Sequence, residues 1–172
     1  AILPKLLELS GDVCTDINLE EKLLVVCGSV NPITKNQLEY AEKCGFKRIH
    51  LNSKQKVEQG YWDSEEGFEE LKKLKYNCEN SKCCILDSND KDNDNATFKY
   101  AKSKGKSVEE VRSTISKTMG YVLKNILEQD INSTLLVTGG DTLLGFMKQI
   151  GIKELIPICE LMPGCVLTQM KY

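Results

Sequence analysis

The sequence predicts an α/β domain, a mostly parallel sheet with helices on both faces in a Rossmann-like three-layer architecture. Two observations predict it. Short apolar runs alternate with longer stretches of helical periodicity, which is the pattern of βαβ units. Two of those runs also end in glycine turns that lead directly into helices.

Taken in order, Leu3 to Leu9 reads as a short helix or the tail of one. Leu23 to Cys27 is a buried strand. Ile33 to Cys44 is a helix with Ile33, Leu38 and Ala41 apolar and Gly45 as its stop. Arg48 to Leu51 is a short strand. Glu65 to Leu74 is a helix with Phe68, Leu71 and Leu74 at three-residue spacing. Cys83 to Leu86 is another apolar run. Asp87 to Lys106, rich in Asp, Asn, Lys and Ser, reads as a long surface loop with at most one helical turn. Val108 to Leu127 is the longest helix, Thr134 to Thr138 a fourth strand, and Thr142 to Ile150 a helix stopped by Gly151. Glu154 to Ile158 is a last strand. No internal repeat or domain boundary is visible, and 172 residues suit a single domain.

Composition excludes several function classes. Lys plus Arg is 23 and Asp plus Glu is 25, a net charge of −2. A nucleic-acid binder is expected to carry a basic excess. No apolar run approaches the roughly 20 residues that span a bilayer. The start, Ala1 to Lys5, lacks a signal-peptide layout, so a cytoplasmic protein is expected. It also lacks an initiator Met, so a fragment or processed product is expected. The eight cysteines are expected to be reduced thiols: Cys27 lies in a strand, Cys83 and Cys84 are adjacent, and no Cys-x-x-Cys occurs. The one histidine, His50, makes no metal site alone. Asp90, Asp92 and Asp94 resemble the opening of a calcium loop. Asn95 and Ala101 stand where that loop needs Gly and Glu, so these carboxylates are read as solvated.

The chemistry is expected at two turns of one design. Gly28-Ser29-Val30-Asn31-Pro32-Ile33-Thr34 follows the first strand. Gly139-Gly140-Asp141-Thr142 follows the fourth. Each leads into a helix, whose N-terminus leaves backbone N–H groups unpaired and favours an anion. Ligands of open α/β sheets bind beyond the carboxyl ends of the strands, so both turns can face one crevice. Ser29 and Asp141 can equally serve as helix caps, and the glycines as ordinary turn residues. A Walker-type loop, a Gly-x-Gly-x-x-Gly fingerprint and a Gly-x-Ser-x-Gly elbow are all absent.

Gly28-Ser-Val-Asn-Pro-Ile-Thr34-Lys-Asn-Gln37, then Thr138-Gly-Gly-Asp-Thr142, then Pro163-Gly164 resembles the C-terminal nucleotide-binding domain of the four-carbon acid sugar kinases. The resemblance runs from about Leu23 to Val166. It implies an ATP-dependent kinase that moves the γ-phosphoryl group to the terminal hydroxyl of threonate, erythronate or a 3-oxo-tetronate. By that resemblance Gly28, Ser29 and Thr34 contact the nucleotide, Gly139, Gly140, Asp141 and Thr142 form the phosphate loop, and Gly164 lies near the nucleotide. Asp141 would also hold Mg2+, directly or through water. The sugar acid and the general base belong to an N-terminal domain with an Asp-Asp-x-Thr-Gly motif, which this chain lacks. Asn31 and Val166 replace the family's common Ser and Pro, and the chain ends before the usual Lys-Ser/Ala-Gly-Gly-Phe-Gly segment. The resemblance therefore implies a single nucleotide-binding domain over 1–172, inactive alone. A non-catalytic module that completes its site with a separate sugar-acid domain is the alternative. Composition leaves an interdomain face and a homodimer face equally open.

Overall fold

A computed structural model describes residues 19–91, 95–128 and 131–170. The expected helix at Leu3 to Leu9 lies outside them. The described residues fall into two compact units, 19–151 and 152–170.

The larger unit is built on four strands: β1 (Leu23–Cys27), β2 (Lys47–His50), β3 (Cys83–Asp87) and β4 (Thr134–Thr138). All neighbours are parallel, in the order β2-β3-β1-β4. Burial explains the continuous apolar runs: Leu24 to Cys27 of β1 and Cys84 to Leu86 of β3 are inaccessible from either face. Alternate residues point to opposite faces. Val25, Cys27 and Ile85 pack against Leu38 of α1 (Pro32–Lys43). On the other face Cys84 meets Cys78 of α3 (Glu65–Glu79), with the sulfurs 3.4 Å apart. The sheet is thus flanked by helices on both faces, the expected three layers.

Between β2 and α3 lie a five-residue helix, α2 (Ser53–Val57), and a 3₁₀ turn (Tyr61–Asp63). The sequence reading missed both. The region Asp87 to Lys106 also departs from expectation. It holds an eight-residue helix, α4 (Ala96–Ser103). Its composition is polar because it buries only Thr97 and Ala101. Ala101 joins Val57 of α2 and Val111 of α5 (Val108–Leu127) in a small core, with Phe98 and Ile115 packed beside it.

α5 opens on a capping box between Ser107 and Glu110 and buries Met119, Val122, Leu123 and Ile126. Its main neighbour is α6 (Gly140–Ile150). The two helices cross almost backbone to backbone. A Cβ on Gly120 would lie 2.5 Å from the Gly145 carbonyl carbon.

The smaller unit is an antiparallel hairpin, β5 (Ile156–Met162) and β6 (Cys165–Gln169), with Gly164 in the turn at φ 82°. The expected single strand at Glu154 to Ile158 is thus the first part of a two-stranded element. Cys159 is disulfide-bonded, which corrects the all-thiol expectation. Cys27, Cys44, Cys78, Cys83, Cys84 and Cys165 are free. Among the described residues no helix is long and apolar enough to cross a membrane.

Candidate nucleotide crevice

β1 sends its chain through α1 on one face, while β4 sends its chain into α6, which packs on α5. Neighbouring strands whose connections diverge in this way leave a crevice beyond their carboxyl ends. A cavity of about 480 Å3 lies there. Gly28, Val30 and Lys35 line it from the first turn, and Asp141 and Thr142 from the second. Ser88, Asn89 and Asp90 after β3 contribute, as do Asn95 and Phe98 of the α4 region and Arg112, Ile115 and Ser116 of α5.

The two turns interlock. The Gly28 amide donates to the Thr138 carbonyl at 2.8 Å. A Cβ on Gly28 would sit 1.7 Å from Thr142 Oγ1, and one on Gly139 would sit 3.1 Å from the Ser29 nitrogen. Gly139 also has φ 106°, where a side chain is strained. Thr142 is 3% exposed, so its hydroxyl packs between the turns.

The helix N-termini differ. Asn31 caps α1, accepting from the Ile33 amide at 2.9 Å. Ser29 instead accepts from the Asn31 amide and donates to Thr34 Oγ1, each at 3.3 Å. Gly139 is the cap residue of α6 and supplies no side chain, so no side chain caps that helix. Neither Ser29 nor Asp141 is therefore a helix cap, and the α6 end is the more open to an anion. Ser29, Thr34, Gly139 and Gly140 belong to the same two turns but lie outside the cavity lining. Gly164 belongs to the hairpin, where its amide donates to Glu160 Oε1 at 2.9 Å.

Sequence reasoning missed the groups that hold the third wall. Asp87 is fully buried at the end of β3 and binds Arg48 at 2.7 and 3.0 Å. Burial works against the Arg48 charge, but the Asp87 carboxylate outweighs it and holds the guanidinium above its ordinary pKa. The other Asp87 oxygen accepts from the Asn89 amide and side chain, and Asn89 Nδ2 also reaches the Ser29 carbonyl at 3.0 Å. The loop after β3 is thereby tied to the first turn. Burial, followed by the nearby Asp87 carboxylate, pushes the Cys27 thiol up to about 11, so it is inert beneath the crevice.

Asp90 is not a solvated loop charge. It accepts from Lys56 Nζ at 2.6 Å, from the Thr97 amide at 3.0 Å and from the Thr97 hydroxyl. Lys56 is itself completely buried and also donates to the Ser88 carbonyl. Burial raises the Asp90 pKa, but the Lys56 and Thr97 hydrogen bonds overcome it and hold the carboxyl below its usual range. Asp92 and Asp94 lie outside the described residues. Among the described residues no group of three or more His, Cys, Asp or Glu forms a metal cluster. Among the described residues, Asp141, exposed in the first turn of α6, is the cavity carboxylate with no ion pair to a lysine or arginine.

The family of the nucleotide-binding C-terminal domain matches residues 24–171. This chain belongs to that family. No curated protein matches it. A solved structure, a domain of unknown function (DUF1537) from Bordetella bronchiseptica, bound to citrate as a domain-swapped dimer, has the same fold, with a TM-score of 0.63 at 11% identity. The likeness covers 88% of this chain and 34% of that one, so the chain spans about a third of the relative's length.

Proposed function

We propose that this member of the nucleotide-binding C-terminal domain family is the ATP-binding part of a kinase that phosphorylates a four-carbon sugar acid of the threonate, erythronate or 3-oxo-tetronate type at its terminal hydroxyl. The observation that carries the reading is the crevice between β1 and β4, where the N-terminus of α6, free of a side-chain cap, opens beside Lys35 and Arg112. Backbone amides and two cations suit a polyphosphate. Asp141 stands in the same lining, and its negative charge opposes a phosphate unless a divalent cation lies between them. Mg2+ binds through one or two carboxylates plus phosphate oxygens, so a single Asp fits it. When bound, the ion would offset charge on the transferring phosphoryl group.

In this reading Gly28, Thr142 and Gly139 hold the two turns together, Asp141 faces the phosphates, and Gly140 only begins the uncapped helix behind it. Ser29 and Thr34 brace the first turn. Gly164 is assigned to the nucleotide by the family resemblance alone. The sugar acid and the general base come from a second domain, and a homodimer is compatible with the swapped dimer of the solved relative. Thermal unfolding with Mg-ATP, using NAD as the control, tests the proposal. A hundredfold excess over the dissociation constant predicts about 2.7 kcal/mol of stabilisation. No shift at millimolar Mg-ATP, or an equal shift with NAD, would refute ATP binding by this chain.

A further inference from the structure

Cys78 and Cys84 meet beneath α3. Cys78 lies in the last turn of that helix and is 4% exposed, and Cys84 is the second residue of β3 and is 1% exposed. Their sulfurs stand 3.4 Å apart in a hydrogen bond. The sulfurs of a disulfide are about 2.05 Å apart, so the two need to close by little more than an ångström. Burial alone does not make such a pair: Cys27 is as buried, and its thiol donates to the Ser29 carbonyl. Cys83, adjacent in β3, points to the opposite face of the sheet and is partly exposed. Lys47 of β2 is the register neighbour of Cys84. The hydrogen bond from Cys78, helped by the Lys47 charge, outweighs burial and holds Cys84 below the ordinary thiol range. The same bond, together with burial, pushes Cys78 up. Cys84 is therefore the more readily ionised sulfur of the pair.

We infer that Cys78 and Cys84 are a reversible oxidation site for hydroperoxides, closing a disulfide that pins the last turn of α3 to β3. One peroxide balances the step. The Cys84 thiolate attacks the O–O bond, an S–O bond forms, and the departing hydroxide takes up a proton as water. The Cys78 sulfur then displaces the hydroxyl group from Cys84. The S–S bond forms, the S–O bond breaks, and the Cys78 proton leaves with the hydroxide as a second water. The two thiols lose two electrons, and hydrogen peroxide gains them. Helix ends fray, and Cys78 sits one residue before the end of its helix, which gives a peroxide its way in. The chain already carries one oxidised cysteine, the disulfide-bonded Cys159. The pair lies at the amino end of β3, whereas the crevice lies beyond the carboxyl ends of the strands, so the two sites are independent.

Treatment of the native chain with hydrogen peroxide, then alkylation in denaturant and tryptic mapping without reductant, tests it. Cleavage after Lys75, Lys82 and Lys91 separates Cys78 from Cys83 and Cys84. The 76–82 and 83–91 peptides should appear joined, two hydrogens lighter than their sum, and should part again with dithiothreitol. Cys83→Ser should keep the link, and Cys84→Ser should lose it. In urea both variants should link, because loops of nearly equal length close alike. Native wild-type peptides recovered apart, alkylated or as sulfinic acids, would overturn the site. Loss of the link in native Cys83→Ser would also overturn it, since the partner would then be the exposed neighbour. Equal linking by the two variants in native buffer, with both keeping the wild-type circular dichroism, would do the same.

Discussion

Replacing Gly28 by alanine probes the interlock between the two turns. The added Cβ would lie 1.7 Å from Thr142 Oγ1 and 2.9 Å from Thr142 Cβ, where ordinary contact begins at 3.4 Å. Thr142 is buried, so its side chain cannot swing into solvent. The turns must part by more than an ångström, and overpacking of that kind costs about 1–3 kcal/mol. We place Gly28→Ala near about 3 kcal/mol, the upper end of that range. Thr142→Ala removes the colliding hydroxyl and one methyl, and should cost about 1 kcal/mol by itself. In the double variant the remaining Cβ–Cβ distance of 2.9 Å still forces a shift, but a smaller one than the 1.7 Å clash with the hydroxyl. The double variant should therefore be more stable than the sum of the singles by about 1–2 kcal/mol, within the range seen for contacting residues. Urea unfolding of the four proteins measures this, provided the slope m stays constant. Additivity within about 0.5 kcal/mol would refute the interlock, because that is how independent sites behave.

Three further predictions follow from the same geometry. Asp141→Asn should remove most of the magnesium dependence of ATP binding, measured as the affinity ratio with and without EDTA; an unchanged ratio would exclude Asp141 as the metal carboxylate. Gly120→Ala should destabilise by about 2 kcal/mol, because backbone atoms of Gly145 and Phe146 stand 2.5 to 2.7 Å from the new Cβ and outweigh a helix-propensity gain of about 1 kcal/mol. A rise in the melting temperature would contradict the close crossing of α5 and α6. Asp90→Asn should cost about 3 kcal/mol at pH 7 by leaving Lys56 buried without its counter-charge. The folded pKa of Asp90 is depressed, so its contribution is present above the ordinary aspartate value of about 3.9 and lost as pH falls through the folded value. The gap between wild type and Asp90→Asn should thus narrow below about pH 4, and a constant gap would show that Asp90 does not act through its charge.

The parts of the fold legible in the sequence are those where one signal dominates. β1 and β3 are short apolar runs, and strands of a parallel sheet buried on both faces demand such runs; β4, at the edge with Leu136 exposed, is legible from its apolar run and the glycine turn after it. Gly28 and Gly139-Gly140 punctuate two of them. α5 announces itself through its length and its apolar residues at helical spacing from Val111 to Leu127, and the structure adds a capping box at Ser107 and Glu110. α4 was hidden because it buries only Thr97 and Ala101, and its solvent side reads as loop. α2 is five residues long, below the length at which periodicity can be seen.

The site shows the same division. Gly28, Asp141 and Thr142 are local features of glycine turns and could be read from neighbours in the chain. Arg112 is one polar residue on an amphipathic helix, and only the packing of α5 brings it to the crevice. Lys56 and Asp90 are 34 residues apart, and nothing in sequence pairs them. The role of Gly28 also changed: it is small because Thr142 occupies the space beside it, a contact 114 residues distant in the chain.

Backbone-amide NMR with a Mg-ATP titration tests the central claim most directly, since the claim is a location. The account predicts that the amides of Gly28, Asn95, Gly140 and Asp141 shift in a saturable way, while those of Gly60 and Gly151 stay in place. Saturable shifts clustered away from the turns after β1 and β4, or no shifts at millimolar Mg-ATP, would contradict it.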